Sequence, residues 1–136
     1  MLTIECLHPA LLKAIAGSGH GDKILITDGN YPLHSCTHEK TEEIYLALSA
    51  DLPTVTDVLN VLVNTMNFEK AEVMTPDEEN EPEIYGEFRS LLKTEQLSKL
   101  TRHEFYEASK QENVIVGINT GETRIYANIL LTVGVR

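Results

Sequence analysis

The sequence predicts an α/β domain, a three-layer α/β/α sandwich on a mixed, mostly parallel sheet. Short β-branched runs of strand length alternate along the chain with stretches whose apolar residues recur at helical spacing, the pattern of helices laid on the faces of a sheet. The 136 residues, 42% of them apolar, suit one domain over 1–136 that buries a core without disulfide or metal staples.

The elements follow in order. Pro9 at the first helical position, apolar residues at 11, 12 and 15, and Gly17 or Gly19 as a stop predict a short helix over Pro9–Ala16. Lys23–Thr27 is a buried strand, and Asp28-Gly29 supplies the turn that ends it. The polar, aperiodic stretch 30–43 is expected to be a functional loop, with a strand over 44–48 after it. Thr54 and Asp57 have capping-box spacing, and Val55, Val58, Leu59, Leu62, Val63 and Met66 keep helical spacing behind them. A strand over 69–75, a solvated acidic loop over 76–83 and a helix over 84–97 come next. A short strand at 98–100 precedes Thr101-Arg102-His103-Glu104, a second capping-box pattern that sets His103 in the first turn of a helix. The chain ends with a strand over 113–118, a turn at 119–122 and a strand over 125–133, on which Tyr126 and Asn128 would share a face. Parallel crossovers place strand ends and helix starts along one sheet edge, where open α/β sheets bind ligands, and Asp28 and His103 are expected there.

Twenty-one acidic residues against 11 basic ones give a net charge of -10, which repels phosphate backbones, so neither nucleic acid nor an anionic membrane is an expected partner. No apolar run approaches the roughly 20 residues of a spanning helix, and Met1–Glu5 lacks the features of a signal peptide; a cytoplasmic location is expected. Cys6 and Cys36 have no zinc-knuckle spacing and read as small, semi-buried thiols.

No P-loop, dinucleotide fingerprint, zinc-protease helix or serine elbow is present, so any chemistry falls to ordinary side chains. His20 stands between two glycines ahead of the first strand, and Asp28 stands just after it. Together with His103, Tyr126 and Asn128 they offer an acid or base near neutral pH, an orienting carboxylate, a phenol and an amide, a set suited to proton transfer at hydroxyl groups. Ordinary roles compete: a loop histidine, a turn-forming aspartate, strand packing for Tyr126 and Asn128, and surface charge for Arg102 and Arg124. His20, Asp22, Asp28, His34 and His38 are metal-ligand types without a tight motif, so no metal is expected.

Gly19-His20-Gly21-Asp22, Asp28 with Tyr31-Pro32, Thr120-Gly121-Glu122, and Tyr126-Ala127-Asn128-Ile129-Leu130-Leu131 with Gly134-Val135 resemble the D-ribose pyranase and L-fucose mutarotase family, in order from near Leu11 to the C-terminus. The resemblance implies a cofactor-independent enzyme that interconverts cyclic forms of a free monosaccharide. It also implies assembly of identical copies into rings, often decamers, with sites at subunit interfaces. His20 and Asp28 would belong to the site on one subunit, joined by Tyr126 and Asn128 from a neighbour. His20, Asp28 and Tyr126 would be catalytic, and Arg102, His103, Asn128 and His34 would hold substrate. Tyr31-Pro32-Leu33-His34-Ser35 and Arg102 are similar to the fucose branch, whereas His103 is similar to the ribose branch; L-fucose is the expected sugar and D-ribose the alternative. A sugar-binding accessory protein of uptake and a metal-dependent enzyme are the readings from other classes.

Overall fold

Three of the four helices begin where a side chain satisfies a free amide. Pro9 opens α1 (Pro9–Ala16), where a missing N–H costs nothing, and Nδ1 of His8 accepts the Leu11 N–H at 3.2 Å. The helix α2 (Val55–Val63) starts with both halves of the expected box, Thr54 Oγ1 accepting from the Asp57 amide and the Asp57 carboxylate from the Thr54 amide. In α4 (Arg102–Ser109) Thr101 accepts from the Glu104 amide, and the reciprocal bond is not made. The remaining helix, α3 (Glu83–Leu92), follows Pro82 without a side-chain cap.

The computed structural model describes residues 1–136. Its strands are β1 (Lys23–Thr27), β2 (Glu42–Tyr45), β3 (Phe68–Met74), β4 (Ser98–Leu100), β5 (Val114–Asn119) and β6 (Ile129–Val133), in one sheet ordered β2-β5-β1-β6-β3-β4. Both β1 and β2 run parallel to β5, and β3 runs parallel to β4, while β6 is antiparallel to its neighbours β1 and β3. The sheet is mixed and mostly parallel, with one reversed strand in its interior. Strand alternation splits the core. Ile24, Ile26, Val116, Ile118, Ile129 and Leu131 face α1, α2 and α3, whose Leu11, Ile15, Leu59, Leu62, Tyr85 and Phe88 complete the larger apolar cluster. Leu25, Leu130, Met74 and Val114 face the other way, onto Phe105 of α4 and onto Tyr31 and Leu33. Helices therefore cover both faces. Cys6 is buried in the larger cluster, Cys36 is half-buried beside the smaller, and both thiols are free. No helix is long and apolar enough to cross a membrane.

Several boundaries differ from those expected. Glu42 and Glu43, expected in a loop, pair with Val116 and Gly117, and the strand expected over 44–48 ends at Tyr45, where the chain turns away through Ser49–Leu52. The helix expected to run to Leu97 stops at Leu92 because Lys93 takes a left-handed conformation, φ 54°. The last strand begins at Ile129, not 125: Tyr126 has φ 60°, incompatible with an extended strand, so Tyr126 and Asn128 share no strand face.

The segment after β5 lies hard against the Ser49–Pro53 turn. A Cβ on Gly121 would sit 2.2 Å from the Ser49 carbonyl oxygen and 2.9 Å from the Leu52 nitrogen. Gly121→Ala is expected to cost about 1–3 kcal/mol by forcing backbone apart. Gly86, exposed inside α3 with nothing within 4 Å of its Cβ position, should by contrast stabilise by about 0.5–1 kcal/mol when changed to alanine. Urea unfolding of the two variants checks the pair; equal effects would contradict the packing described.

Candidate active site

Five strands point one way and β6 points the other, so the C-terminal ends of β1, β3, β4 and β5 meet the N-terminal start of β6 at a single edge. Asp28 leaves β1 there, Arg102 opens α4 just after β4, and Tyr126, Ala127 and Asn128 lead into β6. These segments enclose an open cleft of about 260 Å³, near the small end of the roughly 300–1,000 Å³ of small-molecule sites. Asp28, Asn30, Arg102 and Asn128 supply its polar groups, and Tyr31, Met74, Tyr106, Ile125 and Tyr126 its apolar wall.

The floor of the cleft is a reciprocal pair. Asn128 Oδ1 accepts the Asp28 amide at 2.9 Å, and Asn128 Nδ2 donates to Asp28 Oδ2 at 3.1 Å. The other carboxylate oxygen accepts the Asn30 amide at 2.9 Å. Asp28 is only 3% exposed. Burial pushes its carboxyl above the ordinary aspartate range, and the hydrogen bonds from Asn30 and Asn128 offset this only in part. Burial likewise raises the Tyr31 phenol, whose ring packs edge-on against Phe105 at 6.1 Å and whose hydroxyl makes no hydrogen bond.

At the mouth, Tyr126 Oη donates to Asp77 Oδ2 at 3.0 Å and accepts from Arg102 Nη2 at 3.4 Å, while the guanidinium carbon lies 5.9 Å from the ring centre. The left-handed conformation of Tyr126 turns the phenol back over the cleft. A phenol, a guanidinium, a buried carboxyl and a carboxamide around one small cavity can bind several hydroxyl groups and exchange protons with them.

His20 is not among these groups. It precedes β1, at the far edge, where its Nε2 lies 2.9 Å from Glu69 Oε2 and its side chain is 59% exposed. The five residues of β1 at roughly 3.3 Å each put about 16 Å between that edge and Asp28. The expected division, His20 and Asp28 on one subunit with Tyr126 and Asn128 from a neighbour, is therefore corrected: Asp28 is bonded to Asn128 and shares its cleft with Tyr126 of its own chain, and His20 stands apart from all three. His34 is exposed and bound to Glu43 at 3.0 Å, away from the cleft, and His103 is exposed in the first turn of α4 without lining it. The possible ligand set of His20, Asp22, Asp28, His34 and His38 does not come together; no three His, Cys, Asp or Glu side chains are grouped to hold a metal ion.

Asn30, Tyr31, Met74, Tyr106 and Ile125 line the cleft, and Asp77 meets it at the mouth, although none of them is an expected site residue. Asp77 faces water, as the acidic loop was expected to, yet it receives the Tyr126 hydroxyl across 49 residues of sequence. No local signal marks that contact.

A model of the RbsD / FucU transport protein family matches residues 1–136. The chain belongs to this family. It is 37% identical over 143 aligned residues to fucose mutarotase of Mus musculus, covering 96% of this chain and 90% of that protein. It is 35% identical over 129 residues to D-ribose pyranase of Bacillus cytotoxicus, covering 95% and 94% respectively. Among solved structures, Bacillus subtilis RbsD complexed with D-ribose superimposes with a TM-score of 0.86 at 29% identity, covering 100% of this chain and 99% of that one. Similarity to both branches of the family is nearly equal, and the α/β fold with its mixed sheet is the family's.

The Asp28–Asn128 pair has a direct test. Asn128→Asp would set two carboxyl groups in the place of one carboxyl and its donor, so the pair would retain a proton well above the ordinary aspartate pKa. A native state that binds more protons than the unfolded chain loses stability as pH rises. Asn128→Asp should therefore cost about 1–3 kcal/mol at pH 7.5 and regain most of it near pH 4.5. Thermal melts of variant and parent at both pH values check this, and a pH-independent difference would contradict it.

Proposed function

We propose that this chain is a cofactor-independent sugar isomerase of the cytoplasm that interconverts the ring forms of a free aldose, with L-fucose preferred and D-ribose the alternative. The buried Asp28–Asn128 pair under a small, hydroxyl-binding cleft carries the proposal. Ring opening removes the proton of the anomeric hydroxyl, breaks the bond between the anomeric carbon and the ring oxygen, and delivers a proton to that oxygen. The open aldehyde then recloses on either face, or through another hydroxyl. Two proton transfers and no change of oxidation state are required, within the reach of ordinary side chains.

In this reading Tyr126 and Asp28 exchange protons with the sugar, and Asn128 and Arg102 hold its hydroxyls. His20 takes part only by coming from another copy of the chain, since β1 separates it from its own cleft. Exposed Tyr45, Leu48, Leu52 and Ile125, at 51–81% exposure, offer apolar surface for such a copy around the same sheet edge. A ring of copies, ten by family resemblance, would complete every cleft in this way. His34 and His103, expected substrate ligands, do not line the cleft of their own chain.

The choice of sugar rests on the cleft wall. Arg102, the fucose-type residue, lines it and the ribose-type His103 does not. Met74, Tyr106 and Ile125 offer an apolar contact that suits the methyl group of a 6-deoxyhexose, which a pentose lacks.

Magnetisation exchange between the anomeric protons of L-fucose, and between pyranose and furanose D-ribose, tests the proposal with catalytic amounts of protein. Faster exchange for L-fucose, at least tenfold weaker with His20→Ala in an unchanged assembly, is expected. Sugar binding without faster exchange would overturn catalysis in favour of the accessory role, and faster exchange for D-ribose alone would overturn the sugar.

A further inference from the structure

Glu122 is 1% exposed, does not line the cleft, and spends every oxygen on local structure. Its Oε1 accepts from Arg124 Nε at 2.9 Å and from the Arg124 amide at 3.3 Å, and its Oε2 accepts from Arg124 Nη2 at 3.1 Å and from the Val55 amide at 3.4 Å. The backbone carbonyl of Glu122 accepts the Gly29 amide at 2.9 Å, directly beside Asp28. Its own amide donates to Thr120 Oγ1, which in turn donates to the Thr27 carbonyl at 2.7 Å. One residue thus ties the start of α2 and the end of β1 to the segment that delivers Tyr126 and Asn128.

Stability alone is a poor account of this arrangement, because burying the Glu122 carboxylate costs desolvation that its pairing with half-exposed Arg124 largely offsets, whereas in some proteins such a pair fixes one conformation. The conformation at stake is unusual. Four residues after Glu122 the chain holds Tyr126 at φ 60°, which a non-glycine residue adopts only when its surroundings fix it. Arg124, clamped by Glu122 on one side and by Glu87 at 2.5 Å on the other, is the last anchored residue before that turn. Thr123 is held by Asp51 just before it, exposed Ile125 follows, and beyond that Tyr126 reaches Asp77, Ala127 is buried in the core and Asn128 reaches Asp28.

We propose that Glu122 is a positioning residue of the active site: through Arg124 it holds the 123–128 turn in the geometry that presents Tyr126 and Asn128 to the sugar. The inference rests on the isomerase reading for its consequence, but not for the tether itself. Although burial pushes the Glu122 carboxyl up, the bonds from Arg124 outweigh it and hold the group below the usual carboxylate range, so the clamp is charged at neutral pH.

Glu122→Gln keeps the size of the side chain and removes its charge. Deuterium uptake in peptides covering 123–128 should rise at least tenfold in rate, while peptides of α3 and α4 stay unchanged. Sugar exchange should fall at least tenfold at saturating sugar. In a Tyr126→Phe background the same change should cost less than threefold more, because both act through one group. Wild-type protection of 123–128 would overturn the tether, and losses that multiply in the double variant would overturn its action through Tyr126. If Glu122→Gln fails to fold, Arg124→Gln releases the same clamp from its half-exposed side and is held to the same outcomes. A parent protein that exchanges no sugar would sink the isomerase reading, and the deuterium arm would still decide the tether.

Discussion

The site depends on the bond between two residues 100 positions apart. Asp28 and Asn128 each donate to the other, joining the end of β1 to the start of β6 with both side chains nearly buried. The pair exists because β6 runs against its neighbours. A sixth parallel strand in that position would bring its C-terminal end to this edge and Asn128 to the opposite one. The reversed strand puts the carboxamide where the carboxyl needs a donor, and the same reversal carries Tyr126 into the cleft. Burial then sets the chemistry of Asp28, raising its affinity for a proton, while the bonds from Asn30 and Asn128 keep the carboxyl in one orientation.

The length of β1 imposes the second constraint. A strand is a rigid spacer, and His20 and Asp28 flank its two ends, so their nearness in sequence becomes separation in space. Any account that uses both groups on one sugar must bring a second copy of the chain to the cleft. The openness of the cleft fits that requirement, with exposed Ile125 at its rim and an exposed His20 bound only to the surface carboxylate of Glu69. Function and assembly would then be inseparable: the monomer holds a sugar-sized cavity and lacks the one imidazole set between two glycines.

Much of the fold was legible because local chemistry decides it. The Thr54–Asp57 box, Pro9 at a helix start, and the β-branched run before Asp28-Gly29 act within a few residues, and each element stands where those signals put it. The mixed sheet was expected too. Errors gathered where non-local forces decide. Glu42 and Glu43 are strand because β5 pairs with them, and 125–128 is a turn because the clamp around Glu122 and the partners of Tyr126 hold it so, although Ile125 and Tyr126 suit a strand by composition. Within the site, Asp28, Tyr126, Asn128 and Arg102 line one cleft of a single chain, although Tyr126 and Asn128 were expected from a neighbouring copy, and His34 and His103 lie outside that cleft. Tyr106 lines it and Asp77 meets Tyr126 at its mouth by tertiary contact alone, which no spacing encodes.

Complementation tests the division of the site between copies most directly. Asp28→Asn and His20→Ala would each be assembled alone and then co-assembled in equal amounts, and sugar exchange measured for all three. Each variant alone should be inactive, and the mixture should recover activity at roughly a quarter of its sites, those that draw both residues from intact sources in a randomly mixed ring. A mixture as inactive as its components, in an assembly shown to contain both chains, would mean that His20 and Asp28 act from one copy, and would contradict the account.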